Sequence, residues 1–142
     1  MSGSVEGIHI TREKAAVPRP VDEIEVTAEG VVGDRHHGSR DLTLIEAEAL
    51  EGLEADTGIV LSAAESRRQV VTRGIRLNDL VGRPFRVGGV DCVGQELCEP
   101  CNHLQSLTQP GVLRGLVHRG GLVADVVSGG RIAVGDRVSS GT

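Results

Sequence analysis

The chain has 142 residues, including 20 glycines, a single aromatic residue (Phe85) and a formal net charge of −5. That length fits one domain over residues 1–142 with an ordinary core, which here must be aliphatic. The acidic balance argues against nucleic acid as a partner, and no apolar run approaches the ~18–20 residues that span a bilayer.

The first residues lack the charged start and apolar centre of a signal peptide, so a cytoplasmic location is expected. In a reducing compartment the three cysteines read as reactive, metal-bound or buried thiols, not as a disulfide frame. Lys14 is the only lysine. A Schiff-base cofactor enzyme would have to rest on it, and no Gly-Lys-Ser/Thr phosphate loop occurs.

Residues Val5 to Ile10 alternate apolar and polar side chains and predict a first strand. Arg12 to Pro20 reads as loop, with Pro18 and Pro20 opposing regular pairing. A short strand follows at Ile24–Val26. A long irregular segment spans Gly30 to Arg40, and Leu42–Ile45 returns to strand. Glu46 to Glu54 has helix formers with spaced apolar positions, ending near Gly58.

Glu65 to Arg68 reads as loop and Gln69 to Thr72 as strand. Leu77 to Gly82 predicts a single turn, and Pro84–Val87 another strand. Gly88-Gly89 is a two-residue hairpin turn into Val90–Leu97. Short helical turns are expected at Asn102–Leu107 and Gly111–Leu116. Two last strands, Leu122–Val127 and Ile132–Val138, are joined through Ser128-Gly129-Gly130. About seven short strands with small helices between them predict a mainly β fold, a closed or half-closed β-barrel with short inserted helices.

Cys98-Glu99-Pro100-Cys101-Asn102-His103-Leu104 places a thiol where a strand stops and a short helix begins. Unpaired backbone N–H groups at such a point favour thiolate, the form that ligates a soft metal, carries a persulfide or attacks an electrophile. The alternative for Cys101 is a small buried hydrophobe. Cys98-x-x-Cys101-x-His103 also permits a zinc reading with His36 or His37, but no second ligand pair follows downstream. Adjacent side chains in extended backbone point opposite ways, so at most one of His36 and His37 is expected to face a given site. Arg67, Arg68, Arg73 and Arg76 form a local basic cluster, either a solvated face or an anion site.

The order of several motifs resembles the MOSC domain family, the C-terminal domain type of molybdenum-cofactor sulfurases, also found as small stand-alone bacterial proteins. The motifs are Gly33-Asp34-Arg35-His36-His37-Gly38, Asp41–Ile45, Arg67-Arg68-Gln69-Val70-Val71-Thr72-Arg73-Gly74-Ile75, Leu77–Gly82, the Cys98–Leu104 segment and Gly135-Asp136-Arg137-Val138. Together they cover essentially the whole chain. The resemblance implies a β-barrel that binds the molybdenum cofactor, or handles sulfur destined for it, through one cysteine, which by motif position is Cys101.

In such relatives the thiolate is a metal ligand, and basic and polar side chains hold the pterin phosphate. The resemblance places Arg67 at one such basic position. Cys98 and Glu99 stand where relatives have small hydroxyl residues near the phosphate, and Arg35, His36 and His37 come to the same region. Gln69 replaces the asparagine of many relatives with an amide one methylene longer. Arg73 is expected to line the same pocket.

Three functions stay open. As an enzyme, Cys101 would hold the molybdenum of the cofactor and the reaction would remove oxygen reductively from an N-hydroxylated or similar small substrate. A redox partner protein would supply electrons, because no dinucleotide Gly-x-Gly-x-x-Gly fingerprint is present. As a carrier, Cys101 would receive persulfide sulfur from a cysteine desulfurase and pass it to an acceptor. As a binding module, the chain would retain only the barrel.

Overall fold

A computed structural model describes residues 2–13, 16–39, 41–99 and 102–140, apart from the side chains of residues 102 and 103. The strands are β1 (Ser2–Ile10), β2 (Arg19–Pro20), β3 (Glu23–Thr27), β4 (Gly30–Val31), β5 (Asp41–Glu46), β6 (Val70–Arg73), β7 (Pro84–Val87), β8 (Val90–Leu97), β9 (Leu122–Ser128), β10 (Gly130–Ala133) and β11 (Arg137–Ser140). The helices are α1 (Ala47–Thr57), α2 (Asn102–Leu107) and α3 (Val112–Gly115), with one 3₁₀ turn at Leu77–Leu80.

Seven strands close a barrel in the order β1-β11-β7-β8-β9-β5-β6, and β6 returns to β1. Closure removes the open edges that a sheet of this size would otherwise present. Only β5 and β6 pair in parallel within the ring, and α1 makes the crossover between them that a parallel pair requires. Helix α1 ends at Gly58, whose left-handed backbone (φ 78°) lets its N–H reach the Glu54 carbonyl at 2.8 Å.

Inside the barrel, Leu42, Leu44, Val87, Val90, Leu122 and Val138 are fully buried. Each such side chain contributes about 1.5–3 kcal/mol relative to an exposed one. A second apolar cluster lies outside the wall, where Leu53 of α1, Leu104 of α2, and Val112 and Leu116 at α3 pack with Leu61. That cluster fixes α2 beside the barrel. Cys92 is buried in the main core, and burial pushes its thiol up to about 12, which rules out thiolate chemistry there at neutral pH.

The segment expected as one strand from Ile132 to Val138 is two. Asp136 accepts the Ala133 N–H through its carboxylate at 2.8 Å and closes a turn, after which the chain changes sheets. β10 pairs with β3 in a separate three-stranded sheet, whereas β11 pairs with β7 and β1 in the barrel. Pro20 does sit in a strand, the two-residue edge strand β2 opposite His9, where the missing N–H costs no ladder bond. No helix of the described residues is long and apolar enough to cross a membrane.

Gly121 determines how β9 enters the barrel. Its backbone is left-handed (φ 115°), and a Cβ there would overlap the Leu44 carbonyl of β5. Its own carbonyl accepts the Cys98 N–H at 2.7 Å, so the same glycine sets the end of β8. Gly121→Ala is expected to cost roughly 2–4 kcal/mol, from backbone strain plus overpacking against an unyielding neighbour. Urea unfolding checks this. A loss below about 0.5 kcal/mol would mean that the close approach carries no weight.

Candidate functional site

A pocket opens where β1 ends and β6 begins. Asp34 organises it from the segment between β4 and β5. One carboxylate oxygen accepts the Thr11 N–H at 2.8 Å; the other accepts the His36 N–H at 3.1 Å and the Gln69 side-chain amide at 3.0 Å. The carboxylate is buried, and these three donors take the place of water. Arg35 is tied in by its N–H to the Thr11 carbonyl at 2.7 Å.

Gln69 links this segment to the barrel. Its Oε1 accepts the Thr43 N–H at 2.9 Å, its Nε2 donates to Asp34, and its own N–H donates to Thr43 Oγ1 at 3.0 Å. The extra methylene relative to asparagine is what lets one buried amide span from β5 to Asp34. Its side chain thus serves as a brace.

The pocket encloses about 140 Å³ and is lined by His9, Thr11, Asp34, Arg35, His36, Arg67, Arg68, Gln69 and Leu104. Arg67 has a left-handed backbone (φ 60°), a conformation a non-glycine residue adopts only when its surroundings impose it. Its guanidinium makes no hydrogen bond or ion pair to a described residue. Burial and then the neighbouring Arg35 charge push it below its ordinary value, with Asp34 acting the other way. Two guanidinium groups therefore line one cavity, with the Asp34 carboxylate also in its wall.

Arg68 does different work. It donates to three backbone carbonyls, those of Gly120 (2.8 Å), Cys98 (3.1 Å) and Ser66 (3.3 Å). It thereby fixes the end of β8 and the turn before β9 to the pocket wall. Glu99 continues the stitching, since its carboxylate accepts the His118 N–H at 2.8 Å and pairs with His118 Nδ1 at 2.9 Å. Glu99 is not among the residues lining the pocket, so it presents no carboxylate to an anion bound there.

Of the residues singled out from sequence, Arg35, His36, Arg67 and Gln69 come together at this pocket. His37 does not line it and lies within 3.4 Å of Thr27 Oγ1 on the exposed side of the segment. Arg73 is also elsewhere: it bridges Glu6 (2.6 Å) and Glu51 (2.8 Å) on the outer face of β6, because its position on the strand turns it toward those acids. Arg76 pairs with Asp79 at 3.7 Å, so the expected cluster of four arginines is split. Cys98 is partly buried at the end of β8, its backbone held by Gly121 and Arg68.

Cys101, and with it the zinc alternative, lies outside the described residues, as does the side chain of His103. Leu104, three residues further on, reaches the pocket wall. Among the described residues no group of three His, Cys, Asp or Glu side chains is placed to hold a metal ion.

Sequence reasoning missed His9 and Thr11. His9 is the polar member of an alternating strand, and such a residue ordinarily meets solvent. The proximity of the Gly33–Gly38 segment was the only available clue, and it acts through space.

Residues 33–139 match the MOSC domain family. The chain belongs to that family. Solved structures agree on the fold. The YuaD protein of Bacillus subtilis superimposes with a TM-score of 0.86 at 18% identity, covering 100% of this chain and 98% of that one. YiiM from Escherichia coli gives 0.77 at 17% identity, covering 100% of this chain and 70% of YiiM. YiiM from Geobacillus stearothermophilus gives 0.70 at 14%, covering 99% and 73%. No curated protein matches the chain in sequence.

Two outcomes follow for this MOSC domain. Gln69→Asn restores the residue of many relatives but shortens the brace, so one end of its amide loses its partner. The expected cost is about 1–2 kcal/mol in urea unfolding; an unchanged midpoint would show that the amide is not bridging. His9 binds its proton below its ordinary value of 6.5 because the ring is buried. Just below that pH the unfolded chain therefore holds more protons than the folded one, and stability falls as the pH is lowered from about 7 toward 5.5. Subtracting the unfolding free energies of a His9→Gln chain isolates that slope, and parallel curves would refute it.

Proposed function

We propose that this MOSC domain binds the molybdenum cofactor, with the pterin's phosphate in the pocket between Arg67 and Arg35 and the Cys101 thiolate as the protein's ligand to the metal. The observation that carries the reading is the Arg67 guanidinium, half-buried, unpartnered and adjacent to a second arginine. Among the described residues no side chain or backbone group hydrogen-bonds or ion-pairs with the Arg67 guanidinium, and only the more distant charge of Asp34 offsets part of its desolvation. The donor set fits a phosphate: a planar arginine fork, a second guanidinium and an imidazole around a small cavity.

In this reading each residue has a separate task. Arg67 and Arg35 neutralise the phosphate. Asp34 and Gln69 hold the backbone that presents them, and Arg68 anchors the carbonyl of Cys98, three residues before the thiol. When bound, the cofactor supplies two-electron oxygen-atom chemistry at its metal. An N-hydroxylated small molecule suits that chemistry as substrate, and a redox partner protein would deliver the electrons.

Chain produced in a host that makes the cofactor is expected to carry about one molybdenum per protein, lost in Cys101→Ser. Arg67→Ala is expected to weaken cofactor retention at least tenfold, as loss of a charge-assisted hydrogen bond does. Metal analysis and pterin fluorescence read both. Wild-type protein with neither molybdenum nor pterin would sink the proposal, and a one-sulfur mass gain on Cys101 in their place would redirect it to sulfur carriage.

A further inference from the structure

One side chain of the pocket has no task in the fold. His9 lies on β1 between Ile8 and Ile10, both of which fill the barrel interior, so its ring is on the outer face, where it lines the cavity. Its Nδ1 is sealed within the protein and has no hydrogen-bond partner. Its Nε2 also bonds to no described residue, yet it is not sealed. The two nitrogens therefore face different surroundings: one dry and partnerless, the other open.

That asymmetry fixes where the proton sits. A buried N–H without an acceptor is less well tolerated than a bare acceptor lone pair. The proton of the neutral ring thus belongs on Nε2, and adding a second one would force an unsatisfied N–H onto Nδ1. The ionisable groups around the ring are of mixed sign. The segment before β5 brings Asp34, Arg35 and His36, the segment before β6 brings Arg67 and Arg68, α2 contributes Leu104, and the only ionisable residue of β2 is Arg19, which is exposed. Asp34, the one acid of the set, already accepts three hydrogen bonds from other residues.

We infer that His9 is a ligand-binding residue of this pocket, an imidazole that donates Nε2–H to an oxygen of a bound phosphate group. The inference rests on the pocket being a phosphate site, as proposed above, and adds a directional neutral donor to its cations. Arginine supplies the charge and His9 supplies direction. A neutral donor also adds no further positive charge to the three guanidinium groups that already line the pocket.

The test uses the apo chain and inorganic phosphate as probe. Wild-type protein is expected to bind phosphate. His9→Gln, whose amide nitrogen can take the place of Nε2, should stay within about threefold, whereas His9→Ala and His9→Asn should lose about tenfold or more. Nitrogen-15 spectra of the histidine-labelled wild-type chain should show His9 as the Nε2–H form at neutral pH, with protonation only below the usual histidine range. Phosphate affinity unchanged in His9→Ala, Asn outperforming Gln, or a ring that protonates at the ordinary pH would each overturn the inference. Absence of phosphate binding by the wild type would overturn the phosphate-site reading, and the inference with it.

Discussion

The functional end of this barrel depends on one buried carboxylate. Among the described residues Asp34 has no cationic partner in direct contact; it is held by backbone N–H groups of Thr11 and His36 and by the Gln69 amide. A buried charge satisfied only by dipoles is rigid, because each donor must stay in place for the charge to be tolerated. Asp34 thereby joins the end of β1, the segment before β5 and the residue before β6 into one unit. The pocket arginines project from that unit. Arg67 also feels the carboxylate's charge, which partly offsets the repulsion from Arg35.

A second set of contacts fixes the segment that leads to Cys101. Arg68 grips carbonyls at Ser66, Cys98 and Gly120, Gly121 holds the Cys98 N–H, and Glu99 holds His118. Among the described residues, the two non-glycine positions with left-handed backbone are Arg67 and His118, and both border this stitching. Such backbone persists only where surrounding contacts over-determine it. At Arg67 the strain separates two neighbours with opposite duties: Arg68 turns into the protein and Arg67 is left to the cavity. Adjacent arginines in a relaxed strand would have faced opposite sides of the sheet, whereas here both reach the wall of one cavity.

Much of the barrel was legible because alternation and glycine turns are local signals. Val90–Leu97 and Pro84–Val87 occur at the positions read from the sequence. The helix before Gly58 was readable for a similar reason, since its apolar spacing and its stop lie within a dozen residues. The division of Ile132–Val138 was not legible, because the choice between two sheets is made by partners as remote as Ile24 and Val87. The site was legible only in part. The motif pattern pointed to Arg67 and the Gly33–Gly38 segment, but the brace from Gln69 to Asp34 spans 35 residues and the one to Thr43 spans 26. His9 carries no local mark at all. Its importance comes from what the fold withholds from one ring nitrogen.

Arg67 and Arg73 show why residue type alone could not settle the matter. The chain has 20 acidic and 15 basic residues, so a carboxylate is available to many of its arginines. Arg73, Arg76, Arg86, Arg119 and Arg131 each do. Arg67 does not, although it belongs to the same motif as Arg73 and sits only one strand-length away. Arg67 differs from those five in lining the Asp34 pocket beside Arg35, which is what the proposed anion site rests on. The surrounding acidic surface opposes anions generally, so what enters must gain enough from the Arg35, Arg67 and His9 donors to overcome that field. On the proposed reading, a small and strongly accepting group such as a phosphate would be the one to gain that much.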